Sequence, residues 1–83
     1  MITNETKIKK FVQATLENFA QNDEKEIFLS TDDVQSICLN SNYLPHNHSG
    51  IYLFVSLLLN KQVLQRVQNG KYLFDTKKTA VFL

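Results

Sequence analysis

The segment Val63-Leu64-Gln65-Arg66-Val67-Gln68-Asn69-Gly70-Lys71-Tyr72-Leu73-Phe74 constrains this chain more than any other. Val63 to Val67 and Lys71 to Asp75 each read as a strand, and between them lies Gln68-Asn69-Gly70. Asn-Gly is the strongest short-range hairpin signal, because both residues tolerate the positive φ of a tight primed turn. A two-stranded β-ribbon is therefore expected near the C-terminus.

The residues before it read as helices. Ile8, Phe11, Val12, Thr15, Leu16 and Phe19 fall at i, i+3, i+4, i+7, i+8 and i+11, one continuous helical face within Asn4 to Gln21. Thr3 or Asn4 can cap its start, with Glu5 well placed in the first turn; Asn22 and the run Asp23 to Glu26 end it. Ile27-Phe28-Leu29 is too short an apolar run for a helix. Ser30-Thr31-Asp32-Asp33 is a helix start, a hydroxyl cap with carboxylates in the first turn. The second helix should run from about Asp32 to Asn40, with Val34, Ile37 and Cys38 inward. Tyr43-Leu44-Pro45 is an extended link, since the residue before proline avoids the α region. Asn47 or Ser49 can cap a third helix reaching Asn60 or Lys61, with Ile51, Val55 and Leu58 as its inward set.

Composition sets limits on what this can become. With 83 residues there is room for one domain, expected to span 1–83 with residues 75–83 as a tail. Such a chain buries only about 60% of its unfolded surface. An apolar fraction of 43% is enough for a core and excludes a solvated, disordered polymer. Nine Lys/Arg against eight Asp/Glu leave a net charge of +1, so no global signature for nucleic acid exists. The distribution is uneven. Asp23, Glu24, Glu26, Asp32 and Asp33 make the middle acidic, while Lys61, Arg66, Lys71, Lys77 and Lys78 make the last third basic. Cys38 is the only cysteine, so no intramolecular disulfide can form and an intracellular setting is expected. No signal peptide is visible, and Ile51 to Leu59, the longest apolar run, is interrupted by Ser56. A cytoplasmic protein without a membrane partner is expected, or a nuclear one where the source has a nucleus.

The order helix, short strand, helix, turn, helix, hairpin resembles the winged-helix family of helix-turn-helix domains. Phe28-Leu29-Ser30-Thr31-Asp32-Asp33-Val34 is similar to that family's entry into the second helix, and Gly50-Ile51 through Leu58 to its third helix. Val63 through Phe74 resembles the wing, down to the Arg-Val and Gly-Lys-Tyr pattern. The resemblance implies an α+β, mainly α fold: three helices, a short strand and a two-stranded wing. One position departs. Gln62 stands at the joint between third helix and wing, where many members carry glycine.

The resemblance further implies a transcriptional regulator that binds double-stranded DNA as a homodimer, its third helix in the major groove and its wing on the backbone. Carried over residue by residue, the DNA-contacting set is His46, Asn47, His48, Ser49, Tyr52 and Ser56, with Lys71 at the wing tip. Asparagine can pair with adenine, serine with several bases, and histidine or lysine with phosphates. The same short polar run also suits ordinary helix capping.

Another feature points elsewhere. No Arg or Lys lies on the third helix before Lys61, and Leu53 and Leu57 add a second apolar stripe. Such a stripe reads equally as a protein interface, joined by Phe82 and Leu83 of the apolar terminus, or as extra core. The alternative function is thus a protein-interaction or dimerisation module. Catalysis is not expected: Asp32 and Asp33 are explained by the helix dipole, and two isolated glycines make no phosphate-binding loop. His46 and His48, with Cys38 as the only soft neighbour, are too few ligands for zinc, so neither a metal nor a cofactor is expected.

Overall fold

The chain is mainly helical with a small antiparallel sheet, an α+β fold. A computed structural model describes residues 3–19 and 25–83. The elements run α1 (Asn4–Phe19), β1 (Glu26–Ser30), α2 (Thr31–Leu39), α3 (His48–Asn60), β2 (Gln65–Gln68), β3 (Lys71–Asp75) and α4 (Thr76–Thr79), then a 3-10 turn over Ala80–Phe82. The expected helix end at Gln21 and the acidic pair Asp23-Glu24 lie outside the described residues.

Each helix starts where a side chain can take up its orphan N–H groups. Thr3 Oγ1 accepts from the Thr6 backbone N–H at 3.2 Å, and the Lys7 N–H reaches the Thr3 carbonyl at 3.1 Å. Ser30 and Asp33 form a reciprocal capping box: Asp33 N–H donates to Ser30 Oγ at 3.1 Å, and Ser30 N–H to Asp33 Oδ2 at 2.9 Å. α2 thus begins at Thr31, one residue before the expected start.

The sheet has the order β1-β3-β2, so β3 is central and pairs antiparallel on both sides. Ile27 lies opposite Phe74 and Leu29 opposite Tyr72, all four buried on one face. That face meets α1 and α3 through aromatic rings. Phe11, fully buried on α1, stands edge-on to Phe54 of α3 (5.8 Å between centroids, 77°) and to Phe74 of β3 (6.4 Å, 62°). Edge-to-face packing is the arrangement aromatic quadrupoles favour.

The inward set of α3 differs from expectation. Ile51, Phe54 and Leu58 are buried, whereas Val55 is half-buried. The helix is apolar on more than one face, so periodicity could not choose between Phe54 and Val55. The partnership of Phe54 with Phe11 decides it.

Val63 and Leu64 are not strand residues, contrary to the reading of Val63 to Val67. They close α3. Gln62 takes the left-handed conformation, φ +63°, and its N–H reaches the Leu59 carbonyl at 3.2 Å. The Val63 N–H reaches back to the Leu58 carbonyl at 2.9 Å, and Val63 and Leu58 are both buried. This is a Schellman ending with its hydrophobic contact, built around glutamine at the position that usually selects glycine. β2 starts only afterwards, at Gln65.

The hairpin also differs in detail. Gly70 carries positive φ (75°) and Asn69 does not, so the turn is not the type I′ form in which both central residues are left-handed. The pairing slips by one residue between Arg66 and Gln68, which leaves Val67 extra on β2.

The terminal residues are ordered by the sheet. Asp75 caps α4 by accepting from the Lys77 and Lys78 N–H groups at 2.9 and 3.0 Å, and the Lys25 carbonyl accepts from the Thr76 N–H at 2.8 Å. The buried Thr79 hydroxyl donates to the Asp75 carbonyl at 2.7 Å. The 3-10 turn lies against α1, with Phe82 packed on the core, while Leu83 stays half-exposed.

Left-handed φ costs a non-glycine residue about 1–2 kcal/mol. Gln62→Gly is therefore expected to raise stability by about 1 kcal/mol, after the extra chain entropy glycine loses on folding. A higher urea midpoint at unchanged slope would confirm this; a lower midpoint would refute it.

Candidate nucleic-acid interface

The solvent side of α3 is set by what its other side buries. With Ile51, Phe54 and Leu58 turned inward, Ser49, Tyr52, Ser56 and Asn60 form the opposite, exposed stripe. Tyr52 is 73% exposed, a large ring standing free of the core. His48 is also exposed, at the first turn. The expected contacts His48, Ser49, Tyr52 and Ser56 therefore share one accessible helix side, on a helix without Lys, Arg, Asp or Glu.

Two other expected contacts are engaged by the fold. Asn47 is the N-cap of α3, its Oδ1 accepting from the Gly50 N–H at 2.6 Å. Gly50 is required beside it: a Cβ there would come within 2.9 Å of both Asn47 Oδ1 and Pro45 Cβ. His46 Nε2 lies 2.7 Å from the Ser41 carbonyl oxygen. A carbonyl can only accept, so Nε2 carries the proton and the ring ties together the loop between α2 and α3. Among the described residues no group of three or more His, Cys, Asp or Glu is placed to hold a metal ion.

Cations at the hairpin fall on opposite faces of the sheet. Arg66 pairs with Tyr72 and its guanidinium lies 5.9 Å from that ring, on the face turned toward the helices. Lys71 leans the other way, its Nζ 5.5 Å from the centroid of Phe28 on the outer face. Arg66 was not among the DNA contacts expected from sequence. Strand alternation could have found it only once the register with Tyr72 was known.

The apolar stripe of α3 divides. Leu53 is 67% exposed, whereas Leu57 is half-buried and packs against the core. Leu53 borders a groove of about 340 Å³ between the start of α1 and α3, with Lys7, Pro45, Gly50, Phe54 and Leu57.

Cys38 is fully buried on α2, and burial pushes its thiol up to about 11. At neutral pH the thiolate is scarce and unreachable, which removes it as a nucleophile or soft ligand. Among the described residues no helix is long and apolar enough to cross a membrane. Comparison with family models, curated proteins and solved structures finds no match.

Losing the cap at α3 should cost about 1 kcal/mol for Asn47→Ala, with Asn47→Asp close to wild type. Thermal or urea unfolding of the two variants measures it. Equal stability of Asn47→Ala and wild type would mean that the cap contributes nothing.

Proposed function

We propose that this chain is a winged-helix protein that binds double-stranded DNA as a homodimer, α3 entering the major groove and the β2–β3 hairpin lying on the backbone. The observation that supports it is the combination of α2, a short link and α3 with a hairpin directly behind, Arg66 exposed on the helix-facing side of that hairpin. Ser49, Tyr52 and Ser56 supply hydroxyls that donate or accept at base edges, and the Tyr52 ring offers an apolar surface to a thymine methyl. Arg66, Lys71 and Lys61 at the C-terminal end of α3 supply phosphate contacts, which position the helix without reading sequence.

The charge count explains why a dimer is part of the proposal. Two or three phosphate contacts per protomer give a slope of log affinity against log salt of about −2 to −3, and two protomers double it. A net charge of +1 leaves little non-specific attraction to make up the difference. Leu53, exposed beside the groove at the start of α1, and Leu83 at the C-terminus are among the exposed apolar side chains available for pairing two copies.

The same exposed Leu53 favours the second reading, a protein-interaction module that pairs through α3 and does not bind DNA. The two readings separate in one set of measurements, a duplex titration by fluorescence anisotropy together with mass by light scattering. Arg66→Ala should weaken every duplex alike and flatten the salt slope by about one unit, whereas Tyr52→Ala or Ser56→Ala should alter base preference. Leu53→Glu should give a folded monomer with reduced duplex affinity, and Leu57→Glu should destabilise the chain by setting a charge against the core. A dimer that ignores duplex DNA at low salt would leave only the second reading standing.

A further inference from the structure

The outer face of the sheet carries an arrangement of which the duplex reading uses only Lys71. Alternation along β1 buries Ile27 and Leu29, and so turns Phe28 outward, where it is 52% exposed. In the register Phe28 lies opposite Leu73, and Lys71 follows two residues along on the same face, its Nζ 5.5 Å from the Phe28 ring. Beside the ring the surface dips into a groove of about 720 Å³, lined by Lys25, Glu26, Phe28, Asp75, Lys77 and Lys78. That volume is of the size that holds a small ligand or a single nucleotide.

Cations outnumber carboxylates at this groove, although Asp75 remains ionised. The Asp75 carboxylate accepts from the Lys77 and Lys78 backbone N–H groups, which hold its pKa below the ordinary carboxylate value and tie it to the start of α4. Lys25, Lys77 and Lys78 line the groove against the carboxylates of Glu26 and Asp75, and Lys71 adds a fourth cation over the exposed ring, so the positive charges are in excess.

We propose that this face binds single-stranded nucleic acid, a base stacking on Phe28 while the flanking phosphates meet Lys25, Lys77 and Lys78. An exposed ring with cations on either side is what an unpaired strand recognises, because every base has a π-face and every link a phosphate. A duplex hides its base faces in its own stack, so it gains nothing from Phe28. An acidic peptide could meet the lysines but has no use for the ring. The surface is distinct from α3, since the sheet turns its other face to α1 and α3 through Phe74 and Phe11. The inference does not depend on the duplex reading.

The test is fluorescence anisotropy of the full chain with a labelled oligothymidylate of about 15 nucleotides, within the usual span of such sites, beside a duplex of equal length. Phe28→Ala should weaken the single strand by about tenfold, the loss of one stacked base, and leave duplex affinity unchanged. Lys77→Glu with Lys78→Glu should weaken the single strand and reduce its salt dependence. Phe28→Tyr should bind as wild type and Phe28→Leu as weakly as alanine, and this pair decides the matter if Phe28→Ala does not fold. Wild-type affinity in Phe28→Leu, no binding of the single strand, or displacement of it by polyglutamate as readily as by unlabelled oligothymidylate would each overturn the proposal.

Discussion

The fold depends on one ring. Phe11 is fully buried and stands edge-on to Phe54 and Phe74, so a single side chain of α1 joins α3 to the central strand. In a chain of 83 residues there is little other apolar surface with which to replace that joint. Truncating a buried phenylalanine costs about 3–5 kcal/mol, a large share of the 5–15 kcal/mol that typically separates folded from unfolded domains. What Phe11 fixes is also functional geometry. By drawing Phe54 inward it sets the rotation of α3, and that rotation leaves Ser49, Tyr52 and Ser56 in solvent.

A second joint fixes the hairpin relative to α3. Leu58 accepts from the Val63 N–H while its side chain is buried with that of Val63, so helix end and hairpin entry are one unit. Gln62 bears the left-handed backbone this requires. Glycine would adopt that conformation freely in the unfolded chain as well as the folded one. Glutamine restricts the chain on both sides of the folding equilibrium, and the exposed side chain at this joint is the visible sign of that choice.

The sheet separates two chemistries. On its helix-facing side Arg66 lies over Tyr72, and the exposed side of α3 carries hydroxyl, aromatic and other side chains without Lys, Arg, Asp or Glu. On its outer side Phe28 sits among lysines at the junction of β1 and α4. α4 matters here although it is only four residues long: its cap fixes the Asp75 carboxylate and brings Lys77 and Lys78 to the groove. A short terminal segment thus changes the electrostatics of a strand far from it in sequence.

Local rules in the sequence determined most of the elements, though not α4 and the 3-10 turn within residues 75–83, which read as a tail. The α1 face from Ile8 to Phe19, the Ser30–Asp33 cap, the Val34/Ile37/Cys38 side of α2 and a turn at Asn69-Gly70 all follow from periodicity and capping, which act over a few residues. Alternation within β1 likewise turns Phe28 away from Ile27 and Leu29. Other features required the assembled molecule. Phe54 rather than Val55 is buried because Phe11 meets it, Leu53 and Leu57 part company because only Leu57 reaches the core, and Val63-Leu64 end a helix rather than begin a strand. Asn47 and His46 are engaged by Gly50 and Ser41, and Lys25 joins Lys77 and Lys78 only because β1 pairs with β3. In each case the deciding neighbour lies outside the repeat of a helix turn or strand pleat, so its effect exists only once distant segments are packed together.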